Sequence, residues 1–156
     1  MKKELAISVL LMCSFPTHAD DIKIAINAAK ADAKKSGNVF VTTERECKDH
    51  EGEYLFKSET MSVDNITKAV LLSSIVCGGN GVGKTLVIIT NNKARIMKGF
   101  RMRDMDFLGD MGYVEGRTIV FHGDKWRDDD AHCCPSQKAE LRFNIDTKQQ
   151  SLTLVK

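Results

Sequence analysis

The chain lacks any apolar run long enough to cross a bilayer as a helix. Its longest, Leu5 to Phe15, falls short of the roughly 20 residues such a helix needs. No later stretch matches it, so no transmembrane segment is expected. A charge excess is missing too, since 23 Lys and Arg face 21 Asp and Glu. Near balance argues against the strongly basic face that nucleic-acid binding requires. It argues equally against electrostatic attachment to an acidic membrane. The chain has no G-x-S-x-G elbow, no C-x-x-C and no H-x-x-x-H. Those absences remove the hydrolase nucleophile, the common thiol-exchange motif and paired-histidine metal sites. No internal repeat, low-complexity tract or linker occurs.

What is present begins with "MKKELAISVLLMCSFPTHAD". Lys2 and Lys3 form a positive n-region, followed by the apolar run. Pro16 to Ala19 then places small Thr17 and Ala19 where a signal peptidase reads. This order predicts a cleaved signal peptide over 1–19 and one mature domain over 20–156. Cys13 lies inside the apolar run, and Met12 stands where a lipoprotein peptidase wants Gly or Ala, so Cys13 is expected to leave with the leader. Removing 19 of 156 residues leaves 137, enough for one domain with a real core. Losing Lys2, Lys3 and Glu4 changes the charge count to 21 against 20, a net of about +1.

Cys47, Cys77, Cys133 and Cys134 remain. An even number in a small exported chain reads as a disulfide framework in an oxidising compartment such as a bacterial periplasm. Four cysteines allow three pairings. A vicinal Cys133–Cys134 bridge closes a small, strained ring, so two long-range staples to Cys47 and Cys77 are the favoured expectation.

The periodicity predicts an α+β domain: an N-terminal helix and a mostly antiparallel β-sheet, stapled by disulfides. Residues 21–36 are rich in Ala and Lys, with Ile22, Ile26, Ala29 and Ala33 on one helical face and Gly37 as C-cap. Strands are expected at 38–45 and 53–59. Residues 62–77 read as a helix N-capped by Ser62, with Val63, Ile66, Ala69 and Val70 in helical period and an end, Ser74 to Cys77, that fits helix or strand. A strand at 84–90, a turn at "NNKA" and a returning strand at 95–100 follow. The stretch 101–112 reads as irregular or one helical turn, and 113–123 as a strand pair or one long bulged strand around Gly116. Alternation in "KAELRFNID" and "SLTLV" predicts a closing hairpin. Met97, Met102, Met105, Met111, Phe100 and Phe107 crowd one segment, which suits an adaptable partner surface or the edge of a core.

"GGNGVGKT", Gly78 to Thr85, fits the phosphate-loop pattern without mismatch. That loop must open a helix whose N-terminus meets the phosphates. Here Leu86 to Thr90 is a β-branched run that favours a strand. The nearest acid for a metal, Asp124, follows His122 and Gly123 rather than closing its strand. A glycine-rich turn is therefore expected, with no nucleotide.

"DKWRDDDAHCCPS", residues 124–136, holds the only Trp, three consecutive acids and the Cys pair. Its "CCPS", placed after acids and before an alternating strand, resembles the C-terminal part of exported proteins and lipoproteins of the LppP/LprE type, over residues 124–155. The resemblance implies export and carries no chemistry. Contiguous acids do not make a calcium loop. His132, Cys133 and Cys134, with His122 or an Asp, are conceivable zinc or copper ligands, but adjacent ligands chelate one ion poorly. His50 reads as a solvated turn residue.

The sequence therefore points to a small exported non-enzymatic protein that binds a protein partner in the envelope, without a cofactor. Trp126, Asp128, Asp129 and Asp130 are the candidate partner surface. The alternative is a periplasmic metal-binding or thiol-redox protein centred on His132, Cys133 and Cys134.

Overall fold

A computed structural model describes residues 18–47, 52–79, 81–97, 100, 107–131, 134–146, 148 and 151–155. Helix α1 (His18–Lys35) is followed by β1 (Phe40–Val41), a 3₁₀ turn (Glu44–Glu46), β2 (Glu53–Ser62), β3 (Thr67–Val76), β4 (Val82–Thr90) and β5 (Lys93–Ile96). Then come β6 (Phe107–Glu115), β7 (Thr118–Lys125), β8 (Gln137–Asp146) and β9 (Ser151–Leu154). The first five strands form one sheet in the order β1-β2-β3-β4-β5, and the last four a second, β6-β7-β8-β9. Among these pairings only β1 with β2 is parallel. The fold is α+β, as the periodicity predicts, in three layers: helix, first sheet, second sheet.

Helix α1 forms because Ala and Lys favour it and an apolar stripe needs cover. Ala25 and Ala29 are buried against Val70, Leu72, Val87 and Ile89 of the first sheet; their small side chains let the backbone approach closely. Asp21, 1% exposed, pairs with Lys68 of β3 and pins the first turn. At the other end the N–H of Gly37 bonds Lys34 O and that of Asn38 bonds Ala33 O, a Schellman cap.

The expected helix over 62–77 is instead β3, with Ser62 closing β2. The reason is burial on both faces. Val70 and Leu72 pack under α1, while Ala69 and Leu71 pack against the second sheet. A doubly covered strand loses its two-residue alternation and reads as a continuous apolar run. Asp64, rather than a helix cap, organises the turn before β3 by accepting the N–H groups of Ile66 and Thr67.

Three smaller expectations also change. Of 38–45 only Phe40–Val41 is strand; the Glu46 carboxylate then gathers the N–H and hydroxyl groups of Thr42 and Thr43 and winds the chain into a 3₁₀ turn. The returning strand is Lys93–Ile96, because Asn91 and Asn92 (φ 50° and 60°) already complete the two-residue turn. Residues 107–112 are not irregular but begin β6, which shifts register between Met111 and Tyr113. Met97, Phe100 and Phe107 are buried and Met111 packs against them, so the described part of that segment is core. Phe100, Phe121 and Phe143 form its aromatic centre, with ring centroids 5.0–5.7 Å apart. Met102 and Met105 lie outside the described residues.

Candidate binding surface

The disulfides set one end of the molecule. Glu53 pairs with Val76, and the Cys77 N–H bonds Gly52 O. The start of β2 thus lies beside the end of β3. This brings Cys47 to Cys77, and the two are bonded with Cα atoms 5.5 Å apart. The two expected long-range staples to the C-terminal pair are therefore replaced: the local strand pairing satisfies Cys47 and Cys77 together. Cys134 is also disulfide-bonded, and with Cys47 and Cys77 joined to each other it is bonded to neither. His50, His132 and Cys133 lie outside the described residues.

The loop joining β7 to β8 carries the residues singled out from sequence. Trp126 is half-buried, and Asp128 and Asp129 are exposed. Asp130 behaves differently from its neighbours. Its carboxylate accepts the Ser136 hydroxyl at 2.6 Å and the N–H groups of Arg127 and Ser136, each at 2.9 Å. The hydroxyl bond first, then the amide bonds, hold this carboxyl below the usual carboxylate range. Asp130 closes the loop on itself, leaving Asp128 and Asp129 as its outward acids.

Register shows where this loop sits relative to the disulfide. Lys57 of β2 reaches Asp110 of β6, and Glu59 reaches the Met111 N–H. The two strands thus run in the same direction, and β6 begins at the end where β2 begins. Phe107 pairs with Lys125, which pairs with Gln137. The β7–β8 loop therefore leaves the sandwich at the end that carries Cys47–Cys77 and the β3–β4 turn. Large apolar side chains are exposed on several faces near that end: Val39 at 50% and Val76 on the helix side, Val82 at the start of β4, and Leu108 on the outer face of the second sheet, with Phe56 at 65% on the nearby irregularity of β2. Sequence could not show that Val39 and Val76 adjoin, because that depends on chain segments 37 positions apart being brought together.

The phosphate-loop match falls on the same hairpin. Gly78 has φ +71°, as the expected turn requires, and Val82–Thr90 is strand throughout. Lys84 does not face an open anion site. It is 9% exposed at its side chain and donates to Asp110 Oδ1 at 2.7 Å and to Ser73 Oγ at 2.8 Å. Lys57 joins the same carboxylate at 2.8 Å and also pairs with Glu59. Burial pushes the Asp110 carboxyl up, but hydrogen bonds from Lys57 and Lys84, with their charges, outweigh it and the net shift is downward. Asp110 and then Glu59 raise the Lys57 ammonium above its ordinary value. Ser73 with Lys84 has the elements of a nucleophile and base. At 1% exposure, however, the Ser73 hydroxyl meets no substrate. The cluster ties the two sheets together.

His122, weighed as a fourth metal ligand, stands on β7 with Nε2 3.3 Å from Glu140 Oε2 and its ring against Tyr113. Among the described residues no three His, Cys, Asp or Glu side chains converge as a metal site. No helix among them is long and apolar enough to cross a membrane. Beside the disulfide end, α1 and the first sheet enclose a cleft of about 370 Å³ that reaches Asp32 and Glu53. Neither acid was singled out from sequence. Comparison with protein families, with curated proteins and with solved structures found no match.

Proposed function

We propose that this is a small exported, non-enzymatic protein that binds a protein partner in the bacterial envelope, as an inhibitor, an immunity-type factor or an accessory subunit. The observation that carries the reading is the exposure of Val39 and Val76 beside one another on the helix face of the disulfide-braced end, with Val82 exposed at the start of β4. Scattered exposed apolar residues need no explanation, whereas several at one end of a sandwich mark a contact surface. Half-buried Trp126 and exposed Asp128 and Asp129 leave the same end and supply an aromatic anchor and a polar rim. The leader anatomy of residues 1–19 places the mature chain in the periplasm. The reading leaves out nucleotide and nucleic acid, supported by the strand that follows Thr85, the pairing of Lys84 with Asp110 and the near balance of charge.

The test is capture from envelope extract by the tagged exported chain, compared with a V76K/V82K double variant and an I66K control at the β2–β3 turn. The double variant loses the captured protein and the control keeps it. Equal capture by all three forms would sink the assignment of the surface.

Cys134, exposed and oxidised, favours one second reading: thiol exchange at the His132-Cys133-Cys134 segment. A disulfide sulfur is no thiolate ligand, so the same observation counts against metal binding there. Thiol blocking before peptide mapping decides it. Blocking reagent on Cys134 in freshly exported protein supports exchange. A fully oxidised, inert segment removes it.

A further inference from the structure

The cleft beside the exposed end has a lining that selects its occupant. Its walls include Ala29, Ala33, Val39, Val76 and Ile96. Two lining residues are charged, Asp32 and Glu53, both acids, and no Lys or Arg lines it. Neither acid forms an ion pair among the described residues. The Glu53 carboxylate is held by the hydroxyl of Ser74, itself 0% exposed. Space for that carboxylate depends on Gly83 opposite: a Cβ there would stand 2.6 Å from Ser74 Oγ and 2.7 Å from Glu53 Oε2. Ser36, just past the last turn of α1, also lines the cleft, so the negative end of the helix dipole adds to the field.

A mixed lining, with Asn38 and Thr85 beside the apolar residues and a fixed carboxylate, matches one kind of group. Lysine and arginine carry an aliphatic stem that packs on apolar surface and a cationic head that seeks a carboxylate. Phosphates and carboxylates are repelled by the same field. A volume of about 370 Å³ lies at the small end of ligand clefts, which suits one side chain rather than a folded segment. Val39 and Val76 belong both to the cleft wall and to the exposed apolar end, so a protein seated on that end reaches the cleft without a gap.

We propose that this cleft receives a lysine or arginine side chain of the protein partner, with its stem between Val39 and Val76 and its head on Glu53, Asp32 serving as the second acid. This deepens the protein-binding reading and rests on it.

The test titrates the full exported chain with N-acetyl-arginine methylamide and N-acetyl-lysine methylamide, followed by two-dimensional NMR. N-acetyl-glycine methylamide is the blank. Saturable shifts are expected at Phe40, Glu53, Val76 and Thr85. E53Q keeps an acceptor for Ser74 but loses the charge, and weakens the arginine probe by about tenfold, the scale of one charge-assisted bond. D32N, on the exposed helix surface, weakens it by about two- to threefold and guards against a folding defect in E53Q. No saturable shift in the cleft, or equal affinity in wild type and E53Q, overturns the proposal. Partner capture separates the two readings. If E53Q loses the probe yet captures the partner undiminished, the cleft assignment falls and protein binding stands. If wild type takes the probe but captures no protein, the protein-binding reading falls and this assignment with it.

Discussion

The two sheets bury themselves differently. Strands β3 and β4 of the first sheet are covered by α1 on one face and by the second sheet on the other, so consecutive residues such as Ala69, Val70, Leu71 and Leu72 are all fully buried. In β8 of the second sheet, Phe143 and Ile145 turn inward while Glu140, Arg142 and Asn144 face out. The difference teaches that alternation is a record of single-sided burial. A strand covered twice has no polar face to write into its sequence.

The largest expected effects test whether the double covering is real. L71A, facing the second sheet, and L72A, facing α1, should each lower unfolding free energy by about 4 kcal/mol in urea melts. T153A on the outer face of the second sheet should cost less than about 0.5 kcal/mol. A small cost for L72A alone would mean that the helix does not seal that face, and the comparison would break. Next comes the staple. Replacing Cys47 and Cys77 together by Ala frees a loop with a sequence separation of 30 and should cost about 3 kcal/mol. The loss belongs to the first sheet, so amide exchange should rise first at the start of β2 and the end of β3, beside the β3–β4 turn.

Smaller effects probe the joint between the sheets and the cover of β2. D110A removes the carboxylate shared by Lys57 and Lys84. Asp110 is 47% exposed, so solvent screening limits the cost to about 1 kcal/mol. The sign with pH is fixed by its lowered pKa. The contribution is present above the unfolded carboxylate value of about 4, and it fades as pH falls through the folded value. The gap in urea midpoint between wild type and D110N should therefore narrow as pH drops from 6 towards about 2, and a constant gap would contradict the assignment. Finally, Thr60 pairs with Val70 on β2, and its buried hydroxyl has no partner among the described residues. T60V should leave stability unchanged or raise it by up to about 1 kcal/mol.

The same contrast explains what could be read in advance. The β6–β7 hairpin around Gly116, the β8–β9 hairpin and the turn at Asn91 were legible because each is local: turn residues at fixed offsets between alternating strands. The strand after Lys84-Thr85 was legible from its β-branched run. Residues 62–77 were misread because Val63, Ile66, Ala69 and Val70 mimic a helical period when both faces are apolar. The candidate site was legible only in fragments. The loop at 124–136 announced itself by composition. Glu53 looked like any of the chain's 21 acids until Ser74 and Gly83 closed around it, and Lys84, argued out of a phosphate loop from sequence, showed no sign there of its pairing with Asp110.

Composition, turn chemistry and period by themselves determined an α+β chain with an N-terminal helix and antiparallel hairpins, because each of these depends on neighbours within a few residues. Tertiary structure decided that Cys47 meets Cys77, that Asp110 joins Lys57 and Lys84, and that apolar strand ends, an acid-lined cleft and the Trp126 loop share one end. Those choices depend on which strand lies beside which, and that is set by burying two faces of the first sheet at once.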